Sequence, residues 1–386
     1  MKIEGIKGIR GIRGIRGIKG EEELGNREER SEGRVKRRIL MVMMMVMMGC
    51  NSGGVGGGEG GTGGGDGRGL SGAMMEVGKS AENVFYAFIE LMSDVLGFSV
   101  NTTTKKEDVG NHFKSLGKKL EDTLKELEEV AVKSEIGVDK GISSKSPIRE
   151  AVASAKEVLS SLKIHLESLG TVGDSNVVGD AATSATFGTA AADIELKKAY
   201  NALKEIVKLA INSGIANMTE GATTLTINGV DNKEGAKILA TSNAGAAAAD
   251  ISKSAIILTA VGGEEMLNSI IKSGESDLAL SADANGTTTA MSFARGGQAS
   301  HLANASAKAA AVAGGIALRS LIKTSKLAAG GNSQSQGGKK EVQKIGIAAV
   351  NKLLGAVEGV IKKTVKNVLE KAKVEIDKAR ETTKTS

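Results

Sequence analysis

Apolar positions recur every three to four residues over long stretches of this chain, which is the spacing of one buried helical face. In "AMMEVGKSAENVFYAFIELMSDVLGF", Met74, Val77, Ala81, Val84, Phe85, Phe88, Leu91, Met92 and Val95 form a first stripe. Phe113, Leu116, Leu120, Leu124, Leu127, Val130 and Ala131 form a second. The lone proline, Pro147, follows Ser146, and serine as cap with proline at the first helical position marks a helix start. Ile148, Val152, Ala155, Leu159, Leu162, Leu166 and Leu169 then carry a third stripe. A fourth helix is predicted over 190–212 through Ile194, Ala199, Leu203, Ile206, Val207 and Ala210.

The middle of the chain is less regular. Thr/Leu/Ile alternation predicts a short strand at 223–227, and Asp231 and Glu234 have capping-box spacing ahead of "GAKILATS". Short alanine-rich helices are predicted at 246–261, 264–273 and about 300–328. The Gly/Ala/Asn/Thr/Ser segments at 170–189, 214–232, 240–249, 274–299 and 329–338 read as surface loops outside the core, and "GGNSQSQGGKK" (330–340) as a flexible connector. The clearest element is the last. From 342 to 380 one side carries Val342, Ile345, Ala349, Leu353, Val357, Val360, Val365, Val368, Ala372, Ile376 and Ala379, with lysines on the other. Such a helix is about 58 Å long and cannot bury its stripe alone, so the N-terminal helices are its expected partners. The fold class is therefore mainly all-α: an elongated helical bundle over 73–386, with long terminal helices packed together and irregular distal loops.

Composition changes this picture in two places. There are six Phe, two Tyr and no Trp, so a core outside the first two stripes must be built from Leu, Ile, Val and Ala. The net charge of +6 belongs mostly to residues 1–49, where 12 Lys/Arg oppose 7 Asp/Glu. A body near neutrality with few stacking aromatics does not fit a nucleic-acid binder.

The single cysteine carries the sharpest chemistry. Lys36, Arg37 and Arg38 precede ten apolar residues, Ile39 to Met48, followed by Gly49 and Cys50. Ten residues make about 15 Å of helix, half a bilayer core. Charge, a short apolar run and a small residue at the cut are the parts of a secretory signal. A cysteine just after that cut is where a bacterial lipoprotein receives diacylglycerol on sulfur and palmitate on its new amino group. Thirteen glycines in 51–72 then form a tether, whose reach is about 25 Å. The expected organisation is a signal peptide at 35–49, a lipidated tether at 50–72 and a helical domain from 73. "GIKGIRGIRGIRGIKG" has no place in a Sec signal, and translation is expected to begin at Val35, leaving 1–34 as an upstream extension of the reading frame.

Other candidate chemistry is thin. One cysteine allows no intramolecular disulfide, and His112, His165 and His301 lack metal-ligand spacing. Ser300 and His301 are adjacent, so on a helix they point apart. The glycines at 56–61 lack the Gly-Lys-Ser/Thr of a phosphate loop, and alternating membrane strands of a porin are absent. The expectation is no enzyme, no catalytic residue, no cofactor and no metal. Asn217, Asn285 and Asn304 begin sequon-like triplets of the kind that arise by chance.

Five blocks carry a resemblance: "EVGKSAENVFYAFIELMSDVLGF", "TTKKEDVGNHFKSLGKKL", "DNKEGAKILATS", "AAVAGGIALRSLIKTSKLAAG" and "NKLLGAVEGVIKKTVKNVLEKAKVEIDKAR". Together they resemble the variable large proteins of relapsing-fever spirochaetes (Borrelia), nearest the alpha subfamily of the variable major proteins, over residues 36–386. The segment 310–329 is also similar to an invariable region of the Vls surface antigens of Lyme spirochaetes. The resemblance implies a helical lipoprotein of the cell outer membrane, anchored by lipid at Cys50, exposed at the cell surface and used in antigenic variation against host antibody. An adhesin for host cells or serum proteins is the alternative, and homodimerisation is open.

Overall fold

The computed structural model describes residues 96–133 and 147–384. The signal segment, Cys50, the glycine tether, the first helical stripe up to Val95 and the Ser146 cap lie outside the described residues. Within them the chain is mainly helical, as the periodicity predicts.

Three helices follow the sequence stripes: α1 (Lys106–Lys133), α2 (Pro147–Leu169) and α3 (Asp193–Asn212). Every apolar position of the third stripe, from Ile148 to Leu169, is buried in α2. α1 and α2 pack as an antiparallel pair: Gly110 faces Gly170, Glu121 pairs with Lys163 at 3.4 Å, and Glu128 pairs with Lys156. The fourth stripe starts later than predicted, at Asp193, and Ile194 is 66% exposed, so Glu195 and Leu196 take the inward positions instead.

The central region is a set of short elements. A two-residue pair, β1 (Thr226–Ile227) with β2 (Val230–Asp231), closes through Asn228 and Gly229, both at positive φ. This is the two-residue hairpin turn that Asn-Gly favours. The expected capping box does not form. Asp231 Oδ1 accepts from the backbone N–H of Lys233 at 2.9 Å, Glu234 pairs with Lys237, and "KEGAKIL" is a 3₁₀ helix (Lys233–Leu239). Next come β3 (Ala240–Ser242), α4 (Ala248–Thr259) and α5 (Gly263–Ile271). The single helix expected near 300–328 is instead α7 (Ala299–Leu302) and α8 (Ala309–Leu321), preceded by α6 (Ala290–Arg295) and by β4 (Gly297–Gln298), which pairs parallel with β3. α6 falls where a loop was expected.

α9 (Lys339–Lys384) has 46 residues, about 69 Å at 1.5 Å per residue. It packs on α2, α3, α4, α5 and α8, so its stripe is buried by helices from all along the described chain. The expected pairing with the helix before residue 96 lies outside the described residues. The segment 97–100 does follow α9: Gly97 N–H donates to Glu358 Oε2 at 2.9 Å and Val100 N–H to Asn351 Oδ1 at 2.8 Å.

Two positions on one helix separate the inner from the outer face. Leu162 is fully buried in α2 while Ile164 is 62% exposed. Leu162→Ala is expected to destabilise by about 2–5 kcal/mol through transfer and cavity terms, and Ile164→Ala by less than about 0.5 kcal/mol. Chemical denaturation of the two variants checks the difference.

Candidate functional site

α8 has thirteen residues, all buried, and only one is charged: Arg319, with no exposed surface. A buried cation normally needs an anion or a cage of oxygens. Here the oxygens are main-chain carbonyls. Nε donates to Ala294 O at 2.7 Å, Nη1 to Thr189 O at 3.0 Å and Lys326 O at 3.3 Å, and Nη2 to Leu239 O at 3.4 Å. Those carbonyls belong to four segments far apart in sequence. Burial pushes the guanidinium down to about 9, which still leaves it cationic at neutral pH. Space for it depends on Gly296, where an added Cβ would stand 2.6 Å from Arg319 Nη2 and where φ is +80°.

Lys106, at the start of α1, repeats the arrangement. Its ammonium is buried and donates to Ile322 O at 2.7 Å, Ser325 O at 2.8 Å and Ser325 Oγ at 3.0 Å. Burial lowers it to about 8, with Asp174 and Asp180 opposing that shift. Between these two cations, a turn at 323–324 leads into a strip at 325–329 that bridges to neighbouring segments. Lys323 N–H donates to Val172 O, Leu327 N–H to Asp180 O and Ala328 N–H to Ile238 O, at 2.8 to 2.9 Å. Thr324, at φ +62°, donates its N–H to Asp174 Oδ2 at 2.7 Å.

The rest of the frame holds its surface segments in the same way. Tyr200 of α3 donates to Ser273 O at 2.6 Å, and Asn268 of α5 to Met218 O and Thr219 O at 3.3 and 3.0 Å. Gln343 of α9 donates to Thr102 O at 2.9 Å, and Lys352 to Leu258 O and Val261 O, both at 2.7 Å. In each case a helix side chain donates to a main-chain carbonyl, in a connecting segment except for Leu258 at the end of α4.

The expected loops are therefore not outside the core. Val178, Ala181 and Ala182 in 170–189, Ala240 and Ala246 in 240–249, and Ala284 in 274–299 are buried. What faces out includes residues 183–185, 228–231, 243–244 and 281–283. The 330–340 connector is folded too: Gly330 N–H donates to Gly337 O at 2.8 Å and Ser333 Oγ to Thr183 O at 3.0 Å.

The other singled-out residues fall apart spatially. His112 pairs with buried Glu358 at 2.8 Å and stacks on Phe98 at 4.6 Å between ring centres. His165 sits on α2, its pKa lowered by burial. His301 lies on α7, where its carbonyl accepts from Ala284 N–H at 2.8 Å, and no hydrogen bond joins it to exposed Ser300 among the described residues. Among the described residues no three His, Cys, Asp or Glu gather as a metal site. Two of the sequon-like triplets are turns. Asn285 Oδ1 accepts from Thr287 N–H and Oγ1, and Asn304 Oδ1 from Ser306 N–H and Oγ. Asn101 with Thr103 does the same, which is the Asx turn these residues favour.

Sequence reasoning missed both buried cations. A lone arginine inside "AAAVAGGIALRSL" was the available signal for Arg319, since an isolated charge in an apolar helix must find internal partners. Lys106 gives none, because "TTKKEDVG" reads as surface.

The described residues thus form a helical frame whose side chains hold distant segments by their main-chain carbonyls. A model of the Borrelia lipoprotein family matches residues 81–376. The chain is 64% identical over 313 residues to variable large protein 7 of Borrelia hermsii, covering 81% of this chain and 85% of that one. Variable large protein 21 of the same species is 57% identical over 316 residues, with the same two coverages. Among solved structures, the Lyme disease variable surface antigen VlsE of Borrelia burgdorferi superposes with a TM-score of 0.62 at 22% identity, over 79% of this chain and 97% of that one. The chain belongs to the Borrelia lipoprotein family, and the resemblance to the variable large proteins of relapsing-fever Borrelia is borne out.

Two outcomes test the anchoring. Arg319→Met takes the charged donor from all four carbonyls, leaving Thr189 O and Lys326 O only each other's backbone N–H, and is expected to cost about 3 kcal/mol or more, with faster amide exchange at 186–189, 238–240 and 326–329. Arg319→Lys is expected not to restore protection, since one ammonium cannot reproduce the planar fork. Lys106 sets a pH dependence. Its folded value of about 8 lies below the ordinary lysine value of 10.5, so between those pH values the unfolded chain binds more protons and stability rises with pH. The slope contributed is at most about 1.4 kcal/mol per pH unit. Denaturation of wild type and Lys106→Met at several pH values from 8 to 10 should show a steeper rise in the wild type, the difference between the two isolating Lys106 because the lowered Arg319 and Lys352 act in both chains.

Proposed function

We propose that this protein is a variable antigen displayed on the outer membrane, held there by lipid on Cys50 and recognised by host antibody, and that antigenic switching replaces it with a relative bearing a different surface. The observation that carries this reading is the grip of Arg319 and Lys106 on main-chain carbonyls. A carbonyl is offered by every residue type, so outward side chains can be exchanged without loss of the anchor. Family membership supports the lipoprotein part of the reading. The names of the relatives and of the solved neighbour support variability and surface display. Gly49 and Cys50 supply the lipidation junction.

Replacing the exposed side chains at 183–185, 230 and 281–283 is expected to abolish binding of antibody raised against the parent surface. The melting midpoint should move by only a few degrees, the scale of about 1 kcal/mol for surface substitutions. Equal antibody binding by parent and exchanged chain would count against the display role. In intact cells, protease should remove the wild type, while Cys50→Ser should be missing from the outer membrane. Retention of that variant in the outer membrane would exclude the lipid anchor.

A further inference from the structure

The cleft between α3 and α5 lies apart from the Arg319 and Lys106 anchors and from the display surface described above, and shares with the frame only the Asn268 contact that forms its floor. Its volume is about 520 Å³, within the range of small-molecule sites. Val207, Ile211, Met218 and Ile271 supply its apolar lining, and Lys204, Lys208 and Lys272 stand around it. Ile211 is 39% exposed, an uncovered apolar side chain inside a concave surface. The floor is preformed, because Asn268 fixes the carbonyls of Met218 and Thr219.

The charges around this cleft are unevenly satisfied. Lys204 donates to the Tyr200 phenol at 2.9 Å and makes no ion pair within 4 Å among the described residues, with Glu205 and Glu275 acting on it from farther away. Lys272 and Lys308 share one carboxylate, Glu220, at 2.6 and 2.8 Å. Lys208 pairs with Glu205 at 3.3 Å, and Glu275 is held by Asn201 at 3.0 Å. Three ammonium groups thus line the cleft and no carboxylate does, and Lys272 shares its partner Glu220 with Lys308 outside the lining, which leaves room for one anionic head beside an apolar floor. The lining holds no aromatic ring on which a base or sugar could stack. An unbranched apolar chain ending in a single anionic head is the chemistry that fits both features.

We propose that this cleft binds a free long-chain carboxylate, its tail along Val207, Ile211, Met218 and Ile271 and its head against Lys204 and Lys272. Sodium oleate below its micelle concentration, titrated calorimetrically into the purified chain, is expected to bind saturably at one site. Lys204→Glu combined with Lys272→Glu is expected to weaken binding by about tenfold or more, a loss of about 1.4 kcal/mol. Ile211→Glu, at an exposed position, should weaken it similarly, and far-UV circular dichroism should show both variants as helical as the parent. Oleyl alcohol, with the same tail and no charge, should bind more weakly than oleate. The proposal is overturned by non-saturable uptake, by equal affinity in parent and variants, or by equal affinity for the alcohol. Binding to phosphatidylglycerol vesicles without binding to monomeric oleate would also overturn it, by making the cleft a membrane contact.

Discussion

One cation with no counterion organises the described fold. The Arg319 guanidinium has no exposed surface and no carboxylate among its hydrogen-bond partners, only four main-chain oxygens. Placing a charge there costs desolvation energy. It is offset because the planar fork points donors in several directions at once, and because Ala294 O and Leu239 O gain a charged donor from it, while Thr189 O and Lys326 O also accept from each other's backbone N–H. Removing the arginine takes a charged donor from four carbonyls together, two of which keep a backbone partner. Lys106 acts likewise on 322–325, so the strip between α8 and α9 is fixed from both sides.

This mode of anchoring decides which substitutions the protein tolerates. A loop held by its side chains would lose its anchor with each exchange. A loop held by its carbonyls constrains only volume where it meets the frame. Gly188 shows the limit: an added Cβ would lie 2.2 Å from Lys326 O, beside the Thr189 carbonyl that Arg319 binds. The inward positions of the same segments are mostly alanines and valines, small enough for close approach and apolar enough to need no partner. Variation is cheap on the outward positions and expensive one residue away.

Much of the frame was legible in the sequence because helix burial has a period. The stripe in α2 was identified residue by residue, and that of α9 nearly so, with Ala379 only partly buried. Ile194 failed because a helix start has no preceding turn to fix which side faces in, and Glu195 with its Lys323 partner took the inner position. The central segments failed for a different reason. Their order comes from long-range contacts such as Thr186 with Ala329 and Leu280 with Gly297, and no local periodicity encodes these. Composition rich in Gly, Asn, Thr and Ser looks like free loop whether or not distant carbonyls are bound. Lys106 is the extreme case, since a lysine in a polar run gives no hint that it is buried.

The long C-terminal helix completes the logic by distributing the anchoring load. α9 meets the 97–100 segment through Asn351 and Glu358, the α4–α5 corner through Lys352, and the end of α3 through Asn367 and Lys371, both donating to Ser213 O. Its apolar stripe supplies the burial, and its polar side chains pin connections that would otherwise be free to move. Such connections are separate in sequence, so a change in one does not disturb the next except through the helix itself. A helix buried against five others opens only in a large, cooperative event. The segments it carries therefore share the stability of the frame while contributing little to it, which lets surface chemistry diverge while the fold stays fixed.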